Sequence, residues 1–201
     1  MVAKREPKET AEWQPERRLF SIDEYERMAE AGVLHEDSHV ELLDGEVLCM
    51  AAIGARHSAC LSRFYECVQA TVSATAIVRI QMPIRLPPRS EPEPDAVLVR
   101  RREDHYEAAN PGPEDVLLLV EVADSSLLFD RERKLPRYAA AGVPETWIFD
   151  IGGDRALVHR RPRGRRYTDV SIVERGGTLT PLAFPGLTLK LDDVLGPPAQ
   201  A

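Results

Sequence analysis

The chain has no long hydrophobic run. None of its apolar stretches approaches the roughly 20 residues that a membrane span requires, and Met1 to Arg18 are charged where a signal peptide would be apolar, so a cytoplasmic location is expected. Cysteine is sparse as well: Cys49, Cys60 and Cys67 are odd in number and include no C-x-x-C pair. That excludes a disulfide framework and a zinc knuckle, and leaves buried or idle thiols. Positive charge is also short. With 26 Lys and Arg against 33 Asp and Glu, the net charge is −7, which excludes coating nucleic acid by bulk electrostatics. Any such contact has to be local, and its source would be Arg160, Arg161, Arg163, Arg165 and Arg166, with Arg100 to Arg102 as a second cluster.

What is present is ordinary globular material, 43% hydrophobic and 29% charged over 201 residues. This is enough for one domain with a core, without internal repeat or interdomain linker. The expected organisation is a disordered tail over 1–19, a single domain over 20–195 and a flexible tail over 196–201. Ser21-Ile22-Asp23-Glu24 fits a capping box, opening a short helix that Gly32 stops. Val40 to Leu43 and Glu46 to Leu48 flank Asp44-Gly45, a type I′ hairpin turn. From Gly54 to about Val72, Leu61, Phe64, Tyr65, Val68 and Val72 recur at helical spacing. Thr75 to Leu86 and Ala96 to Val99 read as strands separated by the Pro- and Glu-rich Pro87 to Pro94. Val116 to Val122 is a near-continuous apolar run, the expected sheet centre. Ser125 or Ser126 would cap a helix through Ala141, kinked by Pro136. Thr146 to Phe149 returns as a strand, so this stretch makes a βαβ-like unit. Ala156 to His159 and Tyr167 to Val173 form a hairpin with the arginines at its tip.

Glu121 interrupts the most apolar strand, where an unpaired carboxylate would lose its hydration at a cost of several kcal/mol. It requires protonation, a cationic partner or a path to water. Asp95 opens a strand that could lie beside it. Two converging carboxylates repel unless a cation lies between them, and hard oxygen ligands without His or Cys favour Mg²⁺ or Mn²⁺ over zinc. Lys134 lies on the following helix. At about 100° per residue it falls beside Leu127 and Tyr138, where its stem can run along the sheet toward the strand end. Alternatively it forms a surface i,i+4 pair with Asp130.

Pro94-Asp95 followed by Glu121-Val122-Ala123 resembles the PD-(D/E)XK nuclease superfamily. The wider text, Glu41-Leu42-Leu43-Asp44-Gly45-Glu46, His57, Glu91-Pro92-Glu93-Pro94-Asp95, Val120 to Ser126, Asp130-x-x-x-Lys134, Tyr138 and Gly142 to Asp150, is similar to the Uma-type family of bacterial endonucleases from about Phe20 to Leu195. The resemblance implies an α/β restriction-endonuclease-like core, with a central mixed β-sheet flanked by helices, plus an N-terminal helix and C-terminal β-hairpins. It implies a Mg²⁺- or Mn²⁺-dependent endonuclease hydrolysing DNA phosphodiester bonds. Asp95, Glu121 and the Val122 carbonyl would hold the metal, Lys134 would act on the attacking water or the developing charge, and Glu41 and His57 would be accessory. One departure stands out: the motif lysine position, two after Glu121, is Ala123, so Lys134 has to take that role from the next helix. Tyr138 and Trp147 are read as packing residues. Nuclease folds of this kind often pair, so a homodimer through the strand edges of the C-terminal hairpins is implied. The competing readings are a catalytically idle nuclease fold serving as a binding or assembly module, and a metal-dependent phosphohydrolase of small substrates.

Overall fold

The computed structural model describes residues 16–198, and most of the two expected tails lies outside them. Ser21 forms the capping box, its hydroxyl accepting from Glu24 N at 3.2 Å while Glu24 Oε2 accepts from Ser21 N at 2.9 Å, and α1 runs Ile22–Glu30. Strands β1 (Val40–Leu43) and β2 (Glu46–Cys49) pair antiparallel across Asp44 and Gly45. These two residues have φ of 53° and 83°, the left-handed pair that a type I′ turn demands. Helix α2 covers Ala55–Val72.

The centre is a six-stranded mixed sheet of β3 (Ala76–Ile80), β4 (Ala96–Arg100), β5 (Val116–Ala123), β6 (Glu145–Asp150), β7 (Arg155–Arg163) and β8 (Arg166–Glu174), in that spatial order. Only β5 and β6 run parallel. Their connection contains α3 (Leu127–Phe129) and α4 (Leu135–Ala141), so the expected βαβ unit is present. The short pair β9 (Thr178–Leu179) and β10 (Leu189–Lys190) and helix α5 (Leu191–Leu195) complete the chain.

Period-2 alternation on β5 decides what each face buries. Leu118, Val120 and Val122 join Phe64, Val68, Trp147, Phe149, Leu191 and Val194 in the larger core, under α2 and α5. Phe64 and Phe149 meet at 5.7 Å between ring centroids, in tilted geometry. Leu119 points to the other face with Val97, Val99, Tyr138 and Ala139, beneath α4. Each fully buried large side chain contributes about 1.5–3 kcal/mol, and both faces of β5 are so covered. Glu121 has the parity of Leu119, so the sheet's own periodicity delivers its carboxylate to the α4 face.

Three expected elements differ. The strand placed over Thr75 to Leu86 ends at Ile80, because Gln81 adopts φ 49° and turns the chain away. Beyond it the Pro- and Glu-rich segment is no mere spacer: Leu42 N donates to Glu91 O and Glu91 N to Leu42 O, tying the β1–β2 hairpin to the body. The helix expected from Ser125 or Ser126 to Ala141 is three pieces, with a π-helical turn over Asp130–Lys134 between α3 and α4. The C-terminal hairpin extends further in both arms than expected, so its arginines belong to the strands as well as to the turn. Among the described residues, no helix is long and apolar enough to cross a membrane.

Candidate active site

Antiparallel pairing of Ala96 with Val120 brings the residue before β4, Asp95, alongside the end of β5. Val122 N donates to Asp95 Oδ2 at 2.7 Å, and Asp95 N to Glu121 Oε2 at 3.4 Å. In an extended strand one residue's N–H and C=O point to the same side, so the Val122 carbonyl also faces Asp95. Asp95, Glu121 and Val122 are thus gathered at one strand end.

Lys134 reaches the same point because of the π turn. Leu135 N donates to Asp130 O, five residues back, and Pro136 has no N–H to continue an α-helical ladder. The carbonyls of Glu132 and Arg133 accept from the Arg137 guanidinium instead. The extra residue in the turn directs Lys134 inward, as π-bulges at functional sites often do. Its side chain is 8% exposed, with Nζ 3.3 Å from Glu121 Oε1, 3.3 Å from Glu41 Oε2 and 3.4 Å from Glu93 O. The surface pair with Asp130 is not formed. Asp130 accepts from the Ser126 hydroxyl at 2.6 Å, so Ser126 satisfies a carboxylate rather than capping a helix N–H.

Of the two accessory candidates, Glu41 is buried on β1, its Oε2 also accepting from Glu93 N at 3.2 Å. His57, in the first turn of α2, places Nε2 2.9 Å from Asp95 Oδ1. The ring N–H is poorly aimed at that oxygen and has no well-directed partner, so the contact is chiefly electrostatic, and Asp95 raises the imidazole pKa. The missed residue is Tyr138. Its hydroxyl donates to Glu121 Oε1 at 2.5 Å. A signal was available, since Tyr138 lies four residues after Lys134 and shares its helix face. Trp147 is packing, fully buried in the larger core.

Glu41, His57, Asp95, Glu121 and Lys134 line a cleft of about 850 Å³ that also includes Glu93, Asp124 and Asp130. Carboxylates outnumber cations in it. Burial pushes the Glu121 pKa well above the carboxylate range against the pull of Lys134, while Asp130 and Asp95 raise it further. Burial also lifts Asp130 to about 6 and raises Glu93. For Lys134 burial alone would lower the pKa, but Glu121, then Glu41, Asp130 and Asp95, raise it above the ordinary lysine value. Burial, then Glu121, keeps Tyr138 protonated. Among the described residues no group of three or more His, Cys, Asp or Glu is arranged to hold a metal ion.

The arginines of the hairpin divide. Arg160 turns inward, Nε donating to the fully buried Glu145 at 2.7 Å and Nη2 to Thr180 O at 2.6 Å. It is withdrawn from the surface cluster because Glu145 needs it. Arg161 lies 3.7 Å from Asp169, and Arg165 3.9 Å from Asp44 at the β1–β2 turn. Arg163 and Arg166 are exposed. In the second cluster Arg100 and Arg101 donate to carbonyls and Arg102 pairs with Asp104. Of the cysteines, Cys60 is buried, Cys67 half-buried and Cys49 exposed.

A family model described as "Uma2: Putative restriction endonuclease" matches residues 22–192. No curated protein sequence matches the chain. A solved structure described as a putative nuclease belonging to DUF820, from Anabaena variabilis, aligns with a TM-score of 0.70 at 15% identity, covering 88% of this chain and 97% of that one. At that identity the likeness concerns the fold.

Proposed function

Since this chain belongs to the Uma2 family, we propose that the cleft at the end of β5 is the active site of a divalent-metal-dependent endonuclease hydrolysing DNA phosphodiester bonds. The observation that carries this reading is the meeting of Asp95, Glu121 and the Lys134 ammonium at one strand end inside a carboxylate-rich cleft. Asp95, Glu121 and the Val122 carbonyl offer only hard oxygen donors, which suit Mg²⁺ or Mn²⁺ and leave other positions for water and phosphate oxygens. When bound, such an ion supplies Lewis acidity and an acidified water.

The chain's own residues have separable tasks. Tyr138 holds Glu121 in orientation and Val122 N does the same for Asp95, while the His57 imidazole interacts with Asp95 electrostatically. Lys134 is kept charged by its carboxylate neighbours, so it acts as a hydrogen-bond donor and positive charge toward the phosphorane-like transition state rather than as a base. Its approach from the helix, not the strand, compensates for Ala123 at the motif position. Arg161, Arg163, Arg165 and Arg166, exposed and held at most by long surface pairs, are the hairpin arginines available to phosphates, consistent with contact that is local rather than global.

A second reading, the idle binding or assembly module, is favoured by one observation: the oxygens of Asp95 and Glu121 already have protein donors in contact. Two measurements separate the readings. Calorimetric titration with Mn²⁺ and cleavage of plasmid DNA in Mg²⁺ should both succeed with the native chain, and both should be lost in Glu121→Gln. Unchanged metal affinity in that variant would sink the site. The idle module is the better account if Lys134→Ala alters folding stability and nothing else.

A further inference from the structure

Between the hairpin that bears Glu41 and the helix that bears His57 runs Cys49-Met50-Ala51-Ala52-Ile53-Gly54, six residues without a charged, hydroxyl or amide side chain. Met50 N donates to His39 O at 2.7 Å and closes the hairpin. All six residues line the candidate cleft, and Phe129 joins them from α3 in the β5–β6 connection. Ile53 is 53% exposed, Ala51 and Ala52 are exposed, and Met50 and Phe129 are half-buried. Among the described residues, none of Met50, Ile53 and Phe129 packs into the hydrophobic cores. The fold therefore makes no use of this apolar surface, and apolar surface gathered in a cleft marks a binding site.

The rest of the lining is acidic. Among the described residues it has six carboxylate side chains, and Lys134 is its one lysine or arginine. A duplex fits such a surface poorly. It carries about one negative charge per 1.7 Å of its axis and is held by lysines and arginines that neutralise phosphates, while its bases are stacked and paired out of reach of an apolar wall. An unpaired strand brings less charge, and its bases present flat faces that stack on aromatic and apolar side chains whatever the sequence. Resting on the endonuclease reading of the same cleft, we propose that the wall of Met50 to Ile53 and Phe129 takes the base of an unpaired nucleotide whose phosphate lies toward Asp95, Glu121 and Lys134. The substrate is then single-stranded DNA, which a negatively supercoiled plasmid offers wherever its duplex opens.

Labelled probes of equal length separate base from phosphate: a single strand, the matching duplex, and an abasic deoxyribose-phosphate strand. Fluorescence anisotropy with the full chain, at one ionic strength and with Ca²⁺ in place of Mg²⁺ so that the probe is not cut, gives the three affinities. The single strand should bind about tenfold tighter than either of the others. Ile53→Ser and Phe129→Ala should each weaken binding of the single strand about tenfold and leave the abasic strand unchanged, a selectivity that a loss of folding would not produce. A native chain that holds the duplex or the abasic strand as tightly as the single strand overturns the proposal. So do variants that weaken both strands equally, or neither. Cleavage is scored separately. A chain with the expected binding that cuts no DNA in Mg²⁺ or Mn²⁺ keeps the wall and loses the endonuclease reading, whereas one that binds and cuts duplex and single strand alike keeps that reading and loses the wall.

Discussion

Two glutamates are buried in the same central sheet, and they are buried in opposite senses. Glu145 on β6 has its charge met: Arg160 and the Trp147 indole N–H donate to Oε1 at 2.7 and 2.8 Å, and Leu182 N donates to Oε2 at 2.7 Å. Glu121 on β5 also has three donors, the Tyr138 hydroxyl, Asp95 N and Lys134 Nζ, but it shares that one cation with Glu41, in a cleft where further carboxylates raise its pKa. Burial of a carboxylate is therefore no mark of function by itself. What distinguishes Glu121 is a single cation set against several carboxylates facing open volume, the condition under which an added cation lowers the energy of the folded state.

The largest effects would come from reversing the two roles. Glu145→Ala leaves the half-buried Arg160, the Trp147 indole N–H and Leu182 N without their acceptor and should cost about 3–5 kcal/mol of stability in denaturant unfolding. Glu121→Gln should leave unfolding stability within about 1 kcal/mol of the native chain, or raise it, since an ill-compensated acid is replaced by an amide. The same variant should lose metal binding and cleavage. Similar stability losses in the two variants would mean that Glu121 is structural too, and the distinction would collapse.

Tyr138→Phe tests a finer point. It removes the hydroxyl that fixes Glu121 but keeps the ring, and a hydrogen bond to a charged group is worth about 1.5 kcal/mol. If that energy orients the site, kcat for DNA cleavage should fall about tenfold, with KM little changed. A change confined to unfolding stability would place Tyr138 in the same class as Trp147.

This pairing of Glu121 with Tyr138 also shows how far the sequence could be read. Regular alternation and caps were legible: the capping box at Ser21, the Asp44-Gly45 turn, the β5 run and the βαβ unit all depend on local rules, and the structure has them. The position of Asp95 beside Glu121 followed once β4 and β5 were taken as neighbours. What was not legible depends on nonlocal partners. No pattern in Asp130 to Pro136 announces an i+5 turn, yet that turn buries Lys134 instead of leaving it on a helix flank. Arg160 reads as one of five solvated arginines until Glu145, fifteen residues earlier, comes to lie opposite it in the ladder.

The smallest expected effect concerns protons on the β6–β7 side. His159 pairs with Thr146 in the ladder and lies against Tyr167, and burial lowers its pKa below the ordinary 6.5. The unfolded chain then takes up its proton at a higher pH than the folded chain does. This contribution to stability is intact above about pH 6.5 and is lost as the pH falls below it, by no more than about 1.4 kcal/mol per pH unit. The cleft pulls the other way. Asp130, whose folded pKa is raised to about 6, loses stability as pH rises through that value and regains it on acidification. Total stability against pH therefore mixes the two regions, and a difference separates them. Between pH 7.5 and 5.5, the unfolding free energy of the native chain minus that of His159→Gln should decrease, because only the native chain has the histidine to protonate on unfolding. Asp130→Asn should change the slope in the opposite sense. Equal slopes for the native chain and His159→Gln would show that the buried imidazole takes up its proton in place, and that the β6–β7 side is less tightly closed than its Glu145 network implies.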